Sequence, residues 1–193
     1  NAGESEFGGF GAIQRVAITK VKSEIQVSYT NPIYMAHVYR MKSDLQDVSV
    51  KLEKALGRVE EFGAKGLTAK KLRKYHYMFG MEYFDEPSML AEFDSYEDAV
   101  AAVEAGLAAK KEGVSKVFRV DVPGKKEAVF GVAMAGKPGS TKVTKEVTPG
   151  QDEQFGAKMT GAPEADQYIM SVIDFADLKG TAHLPYEILV SGN

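Results

Sequence analysis

Two stretches concentrate the side chains best suited to chemistry. The first is Tyr75-His76-Tyr77-Met78-Phe79-Gly80-Met81-Glu82-Tyr83, where every second position from 75 to 83 is large and mostly aromatic. That period predicts a strand, with Tyr75, Tyr77, Phe79, Met81 and Tyr83 as a bulky wall and His76, Met78, Gly80 and Glu82 on the other face. The second is Asn31-Pro32-Ile33-Tyr34-Met35-Ala36-His37-Val38-Tyr39-Arg40-Met41. Imidazole beside thioether favours copper, Cu(I) above all, so His76, Met78 and His37 are the candidate metal ligands. The same residues could serve a non-covalent haem, with one His as axial ligand and Met as a possible second, since no Cys-x-x-Cys-His attachment exists.

Other chemistry fits the same groups. His76 or His37 could act as a general base on a ligand held against the wall, and Arg40 could hold a carboxylate between Tyr34 and Tyr39. The candidate ligand-binding set is therefore Tyr75, His76, Tyr77, Phe79, Tyr83, Tyr34, His37 and Arg40. The third histidine, His183, also sits among bulky neighbours, and three imidazoles could make one metal site. Each feature has a plainer reading. Met beside aromatics is routine core filler, Arg stacked on Tyr is common packing, and buried imidazoles are usually hydrogen-bonded for structure.

Several familiar signatures are missing. Gly131-Val132-Ala133-Met134-Ala135-Gly136-Lys137-Pro138 has phosphate-loop spacing up to the lysine, but Pro offers neither a hydroxyl for magnesium nor a backbone donor. There is no Gly-x-Ser-x-Gly elbow and no His-Glu-x-x-His pair. Between Tyr75 and Ala109 there is no Lys or Arg but a block of acids from Glu82 to Glu104. Its spacing is not that of a calcium loop, and Glu97 and Asp98 suit the first turn of a helix, so a solvated acidic face is expected.

Composition bounds the rest. With 193 residues and 44% hydrophobic content the chain can bury a core. Its 27 acids and 24 bases are interspersed and sum to −3, which disfavours nucleic acid as a partner. No stretch approaches the roughly 20 apolar residues of a membrane span. The absence of cysteine removes disulfides and thiolate sites. Residues 1–12 lack an initiator Met and read as a flexible lead-in left by signal-peptide removal, which suggests a periplasmic or secreted protein.

The elements that must position these groups can be placed. Residues 13–30 predict two strand segments parting near Lys22-Ser23. Ser43 and Gln46 form a capping-box signature for an amphipathic helix running to Phe62, and Thr68 can start one helical turn before the aromatic run. Ser95 with Asp98 caps a second helix; residues 114–122 and 128–134 flank the turn pair Pro123-Gly124 as a hairpin. A long excursion covers residues 136–163 and could act as a lid. A third helix over residues 164–174 and a strand over 184–190 complete the chain. The expected fold is one α+β domain, residues 13–193, with a mostly antiparallel sheet of five or more strands and two long amphipathic helices on one face.

Met89-Leu90-Ala91-Glu92-Phe93-Asp94-Ser95-Tyr96-Glu97-Asp98-Ala99 resembles the strand-to-helix junction of the ferredoxin-like dimeric α+β barrels. That resemblance implies a homo-oligomer paired through the outer face of its sheet, with an inner cavity for an apolar or haem-like ligand. Three functions are then in play. They are small-molecule, haem or metal binding in an aromatic-lined pocket, a cofactor-independent oxygenase using a histidine base, and an assembly protein whose aromatic face meets a partner.

Overall fold

The computed structural model describes residues 1–63, 67–76, 79–83, 86–136, 165–174 and 176–192. Among them are six helices and five strands in two small antiparallel sheets, an α+β architecture. Helix α1 (Gly8–Ala12) precedes strands β1 (Val16–Val21) and β2 (Glu24–Tyr29), which pair as a hairpin turning at Lys22 and Ser23 as their alternation predicts. Helix α2 (Pro32–Val38) follows, with Asn31 Oδ1 accepting from the Ile33 and Tyr34 amides at 3.0 and 3.1 Å and Pro32 in the first turn. Helices α3 (Gln46–Leu56), α4 (Ala69–Leu72) and α5 (Tyr96–Ala108) come next. Strands β3 (Val114–Asp121) and β4 (Glu127–Met134), helix α6 (Asp166–Ile173) and strand β5 (Tyr186–Ser191) complete the order.

Strand β4 is central because it is covered on both faces. It pairs with β3 on one edge and β5 on the other, in the order β3-β4-β5, and residues 127–132 are all buried. On one face Ala128, Phe130, Val132, Ile188 and Val190 pack with Tyr96, Ala99, Val100, Val103 and Leu107 of α5. The small Ala residues of α5 let its axis come close to the sheet. On the other face lies α1. A Cβ on Gly9 would stand 2.7 Å from Glu127 Oε1 and Leu189 Cδ1 and 2.8 Å from Val129 Cγ2, so only glycine permits this approach. The glycine-rich start, expected to be a flexible lead-in, is instead packed, with Ser5, Gly8, Gly9 and Gly11 buried.

Local signals explain most boundaries. Ser95 Oγ accepts from the Asp98 amide at 3.0 Å and donates to Asp98 Oδ2 at 2.6 Å, so α5 starts where the cap predicts. Removing this cap by Ser95→Ala will cost about 1 kcal/mol in urea unfolding, because a first-turn amide loses its acceptor. The expected box at Ser43 does not form. Ser43 is taken up by the Asn1 side chain at 2.6 and 3.0 Å, and Asp44 Oδ1 accepts from the Gln46 amide instead. Helix α3 also ends early, at Gly57 with φ 79°, which leaves Val59 and Phe62 exposed outside it.

The structure corrects four expectations that bear on function. The strands make a two-stranded and a three-stranded sheet rather than one sheet of five. The two expected long helices, α3 and α5, are 11 and 13 residues long, and of the two only α5 packs on the three-stranded sheet among the principal contacts, while α3 packs with α2. The described residues of the run 75–83 form no strand. Gly80 turns the chain with φ 83°, no ladder partner is present among the described residues, and Phe79 is 103% exposed. Residues Met89 to Phe93 likewise carry no strand before α5, and Met89, Leu90 and Phe93 are exposed. The excursion beyond Gly136 lies outside the described residues. Among the described residues no helix is long and apolar enough to cross a membrane.

Candidate functional site

The short helix α4 borders an open, largely apolar hollow. Thr68 Oγ1 caps it by accepting from the Lys71 amide at 3.4 Å, and Leu72 is buried where α4 packs on α2. Two arginines lock that contact: Arg73 Nη2 donates to Met41 O and Arg40 Nε donates to Arg73 O, both at 2.9 Å. With Leu72 turned inward, Lys70, Lys71 and Lys74 are left exposed. They surround a hollow of about 520 Å³ together with Leu67, Thr68, Tyr75 and His76.

The wall of this hollow continues into a stack. The His76 and Tyr83 rings lie 5.0 Å apart, and the Arg40 guanidinium sits 5.5 Å from the Tyr83 ring centre. His76 Nδ1 is 3.1 Å from Met81 O, and because a carbonyl only accepts, Nδ1 carries a proton in this contact. Four of the sequence candidates are thus brought together: Tyr75 and His76 line the hollow, while Tyr83 and Arg40 extend its wall. Arg40 stacks on Tyr83. Its backbone adopts φ 47°, consistent with a position set by packing.

The remaining candidates are elsewhere. Phe79 points to solvent, and Tyr34 and His37 on α2 do not line the hollow. The His37 ring is half-buried, with Nδ1 lacking a hydrogen-bond partner among the described residues. Tyr77 and Met78 lie outside the described residues. The three imidazoles do not make one metal site: among the described residues no group of three His, Asp or Glu could hold a metal ion. The acidic face of α5 is answered by the hairpin beside it, where Lys126 pairs with Glu97 and both Lys116 and Arg119 pair with Glu104.

A second polar group, around the start of β5, was not legible in the sequence. Arg15 Nη1 donates to His183 O and Pro185 O, both at 3.0 Å, and approaches Glu187 Oε1 at 3.6 Å. The Glu187 side chain is 6% exposed, and burial raises its carboxyl to about 7 despite the Arg15 charge. Burial also lowers His183, helped by Arg15, and raises Tyr186, helped by the Asp166 carboxylate. Asp166 Oδ2 accepts from the Met134 amide at 2.9 Å while its Oδ1 has no hydrogen-bond partner among the described residues. These groups staple the start of the β1–β2 hairpin to β5 and its approach, and α6 to β4. The hollow beside α4 differs in having exposed lysines on its rim.

No protein-family model matches the chain, and neither a curated protein nor a solved structure matches it.

Proposed function

We propose that this protein binds, without transforming, a small anionic molecule with an aromatic or apolar body in the hollow beside α4. One observation carries the reading: Lys70, Lys71 and Lys74 rim a hollow of about 520 Å³ whose floor includes Tyr75 and His76. Lysine ammonium groups are compact point charges that suit carboxylate or phosphate, and the rings offer a face for a planar body. Among the described residues the lining includes no carboxylate to pair with His76, which favours binding without catalysis over a histidine-base enzyme. The ligand cavity implied by the ferredoxin-like resemblance is thereby relocated to the surface at α4. Kinship with that family is proposed only for the succession of helix, hairpin, helix and strand from α5 to β5.

Phenyl phosphate and benzylamine, which differ in the sign of their charge, provide the test. Phenyl phosphate will shift backbone amide resonances at residues 67–76, with a dissociation constant on the order of 0.1–1 mM that weakens with added salt. Replacing Lys70, Lys71 and Lys74 together by Ala will weaken binding about tenfold or more, while melting is unchanged because all three are exposed. Equal binding of benzylamine, or resonance shifts confined to other residues, would overturn the assignment.

A further inference from the structure

The β1–β2 hairpin is inside out. Its body-facing side is polar: Thr19 Oγ1 donates to Thr181 Oγ1 at 2.9 Å, Gln26 Nε2 donates to Asp177 O at 2.9 Å, and Gln26 Oε1 accepts from the Lys179 amide at 3.0 Å. The opposite side carries Val16, Ile18, Ile25 and Val27. The register Ile18↔Val27 and Lys20↔Ile25 puts them on one face. All four are exposed, Ile18 by 74% and Ile25 by 61%. A half-covered antiparallel ribbon ordinarily turns its apolar side inward, so this pattern marks a surface made to be covered.

The ends of that face carry opposite charge. At the tip, Lys20 and Lys22 are exposed and make no ion pair among the described residues. At the base, Tyr29, which shares the apolar face, donates its hydroxyl proton to Gly57 O at 2.9 Å. This contact, with Asn31 Nδ2 donating to Glu61 Oε1 at 3.5 Å, holds the segment after α3 beside the hairpin. That segment presents Leu56, Val59 and Phe62 to solvent next to Glu60 and Glu61. Glu61 is already paired with Arg58 Nη1 at 3.4 Å, and Glu24 lies at the tip on the side away from the apolar face, so the surface is apolar along its length, with Lys20 and Lys22 making one end net positive and Glu60 making the other net negative.

Such a surface complements itself under a twofold rotation. We infer that a second copy of this chain covers the β1–β2 face, the two hairpins lying antiparallel so that the Lys20 and Lys22 tip of each meets the Glu60 base of the other. An isologous contact repeats every interaction twice, so both apolar faces and both charge pairs are used at once. A hairpin strand of six residues at about 3.3 Å each gives a ribbon about 20 Å long, enough to bring tip over base. The hollow beside α4 plays no part in this contact.

Sedimentation equilibrium of the full chain tests it. The wild type will form a dimer, and no larger species, as concentration rises to about 0.5 mM. Ile18→Lys, at an exposed position, will leave melting unchanged and weaken the dimer at least about tenfold, since it puts a charge into the centre of the contact. Lys20→Glu will weaken it at low salt, and adding Glu60→Lys in the same chain will restore it. A wild type monomeric throughout, a dimer indifferent to Ile18→Lys, or a Lys20→Glu defect that Glu60→Lys does not repair would each overturn the inference. Association with phosphatidylglycerol vesicles in place of dimerisation would overturn it too, assigning the apolar face to lipid.

Discussion

Lys125→Met is expected to destabilise this protein by on the order of 3–5 kcal/mol, and to strip residues 8–12 of their protection from hydrogen exchange. The reason is Glu127, which is 0% exposed at the start of the central strand. Its Oε1 accepts from the Gly9 amide at 3.1 Å, and its Oε2 accepts from Lys125 Nζ at 2.9 Å. The same Nζ donates to Ser5 O and Glu6 O at 2.8 and 2.9 Å, so its three protons all have acceptors. One lysine therefore neutralises a buried carboxylate and fastens the glycine-rich start of the chain over the sheet. Without it, the carboxylate keeps a single backbone donor in a site closed to water.

The double variant separates charge from packing. Glu127→Gln in the Lys125→Met background will recover a large part of the loss, because an amide keeps an acceptor for Gly9 and costs less to bury than an ion. Urea unfolding followed by far-ultraviolet circular dichroism measures all four corners of the cycle. A single-variant cost below about 1 kcal/mol would mean that Glu127 is effectively solvated. The consequence extends toward the hollow beside α4. Ser5 Oγ accepts from the Lys42 amide at 3.0 Å and the Phe10 ring stacks on Tyr39 at 5.4 Å, so the clasped segment also braces α2, on which α4 rests.

What could be read in advance followed how local the determinant was. Helix α5 was legible because Ser95, Asp98 and an Ala-rich face lie within one short segment, and the β3–β4 hairpin because Pro123-Gly124 sits between two β-rich runs. The Thr68 cap of α4 was legible for the same reason. The run 75–83 misled because alternation describes side chains only, whereas a strand also needs a neighbour for its backbone groups. Its rings found another use, with Tyr83 stacked between His76 and Arg40, and Gly80 supplied the turn.

The hollow was half legible. Tyr75 and His76 stood out by type, but Lys70, Lys71 and Lys74 read as an approach to a strand, because nothing local shows which side Leu72 buries. The clasp at Glu127 was hidden for a related reason. Glycines at the start of a chain signal freedom by composition, and only the close contact of Gly9 with Glu127, Val129 and Leu189 reveals that they permit burial. Arg15 and Glu187 stand near opposite ends of the sequence, and no spacing rule connects them.

Their meeting predicts an unusual pH dependence. Glu187→Gln will become progressively more stabilising, relative to wild type, as pH rises from about 4.5 to about 7, by on the order of 3 kcal/mol in all. The sign follows from proton counting. With its ordinary value of 4.5 raised to about 7, Glu187 binds more protons folded than unfolded within that window, so the stability it contributes is full below 4.5 and is lost as pH climbs through 7. Arg15 does not reverse this. Its Nη1 hydrogen bonds go to His183 O and Pro185 O, and at 3.6 Å from Glu187 Oε1 it is too far for another. His183 acts the opposite way: lowered from 6.5 by burial, it contributes stability that is present above 6.5 and lost on acidification. Because wild type and variant share His183, subtracting their stability curves isolates Glu187. Chemical denaturation at intervals between about pH 4 and about pH 8 gives both curves, and the difference should level off above about 7. A flat difference would mean that Glu187 titrates as in the unfolded chain. A slope of the opposite sign would mean that attraction to Arg15 outweighs burial, making the pair a net stabilising ion bridge between β1 and β5.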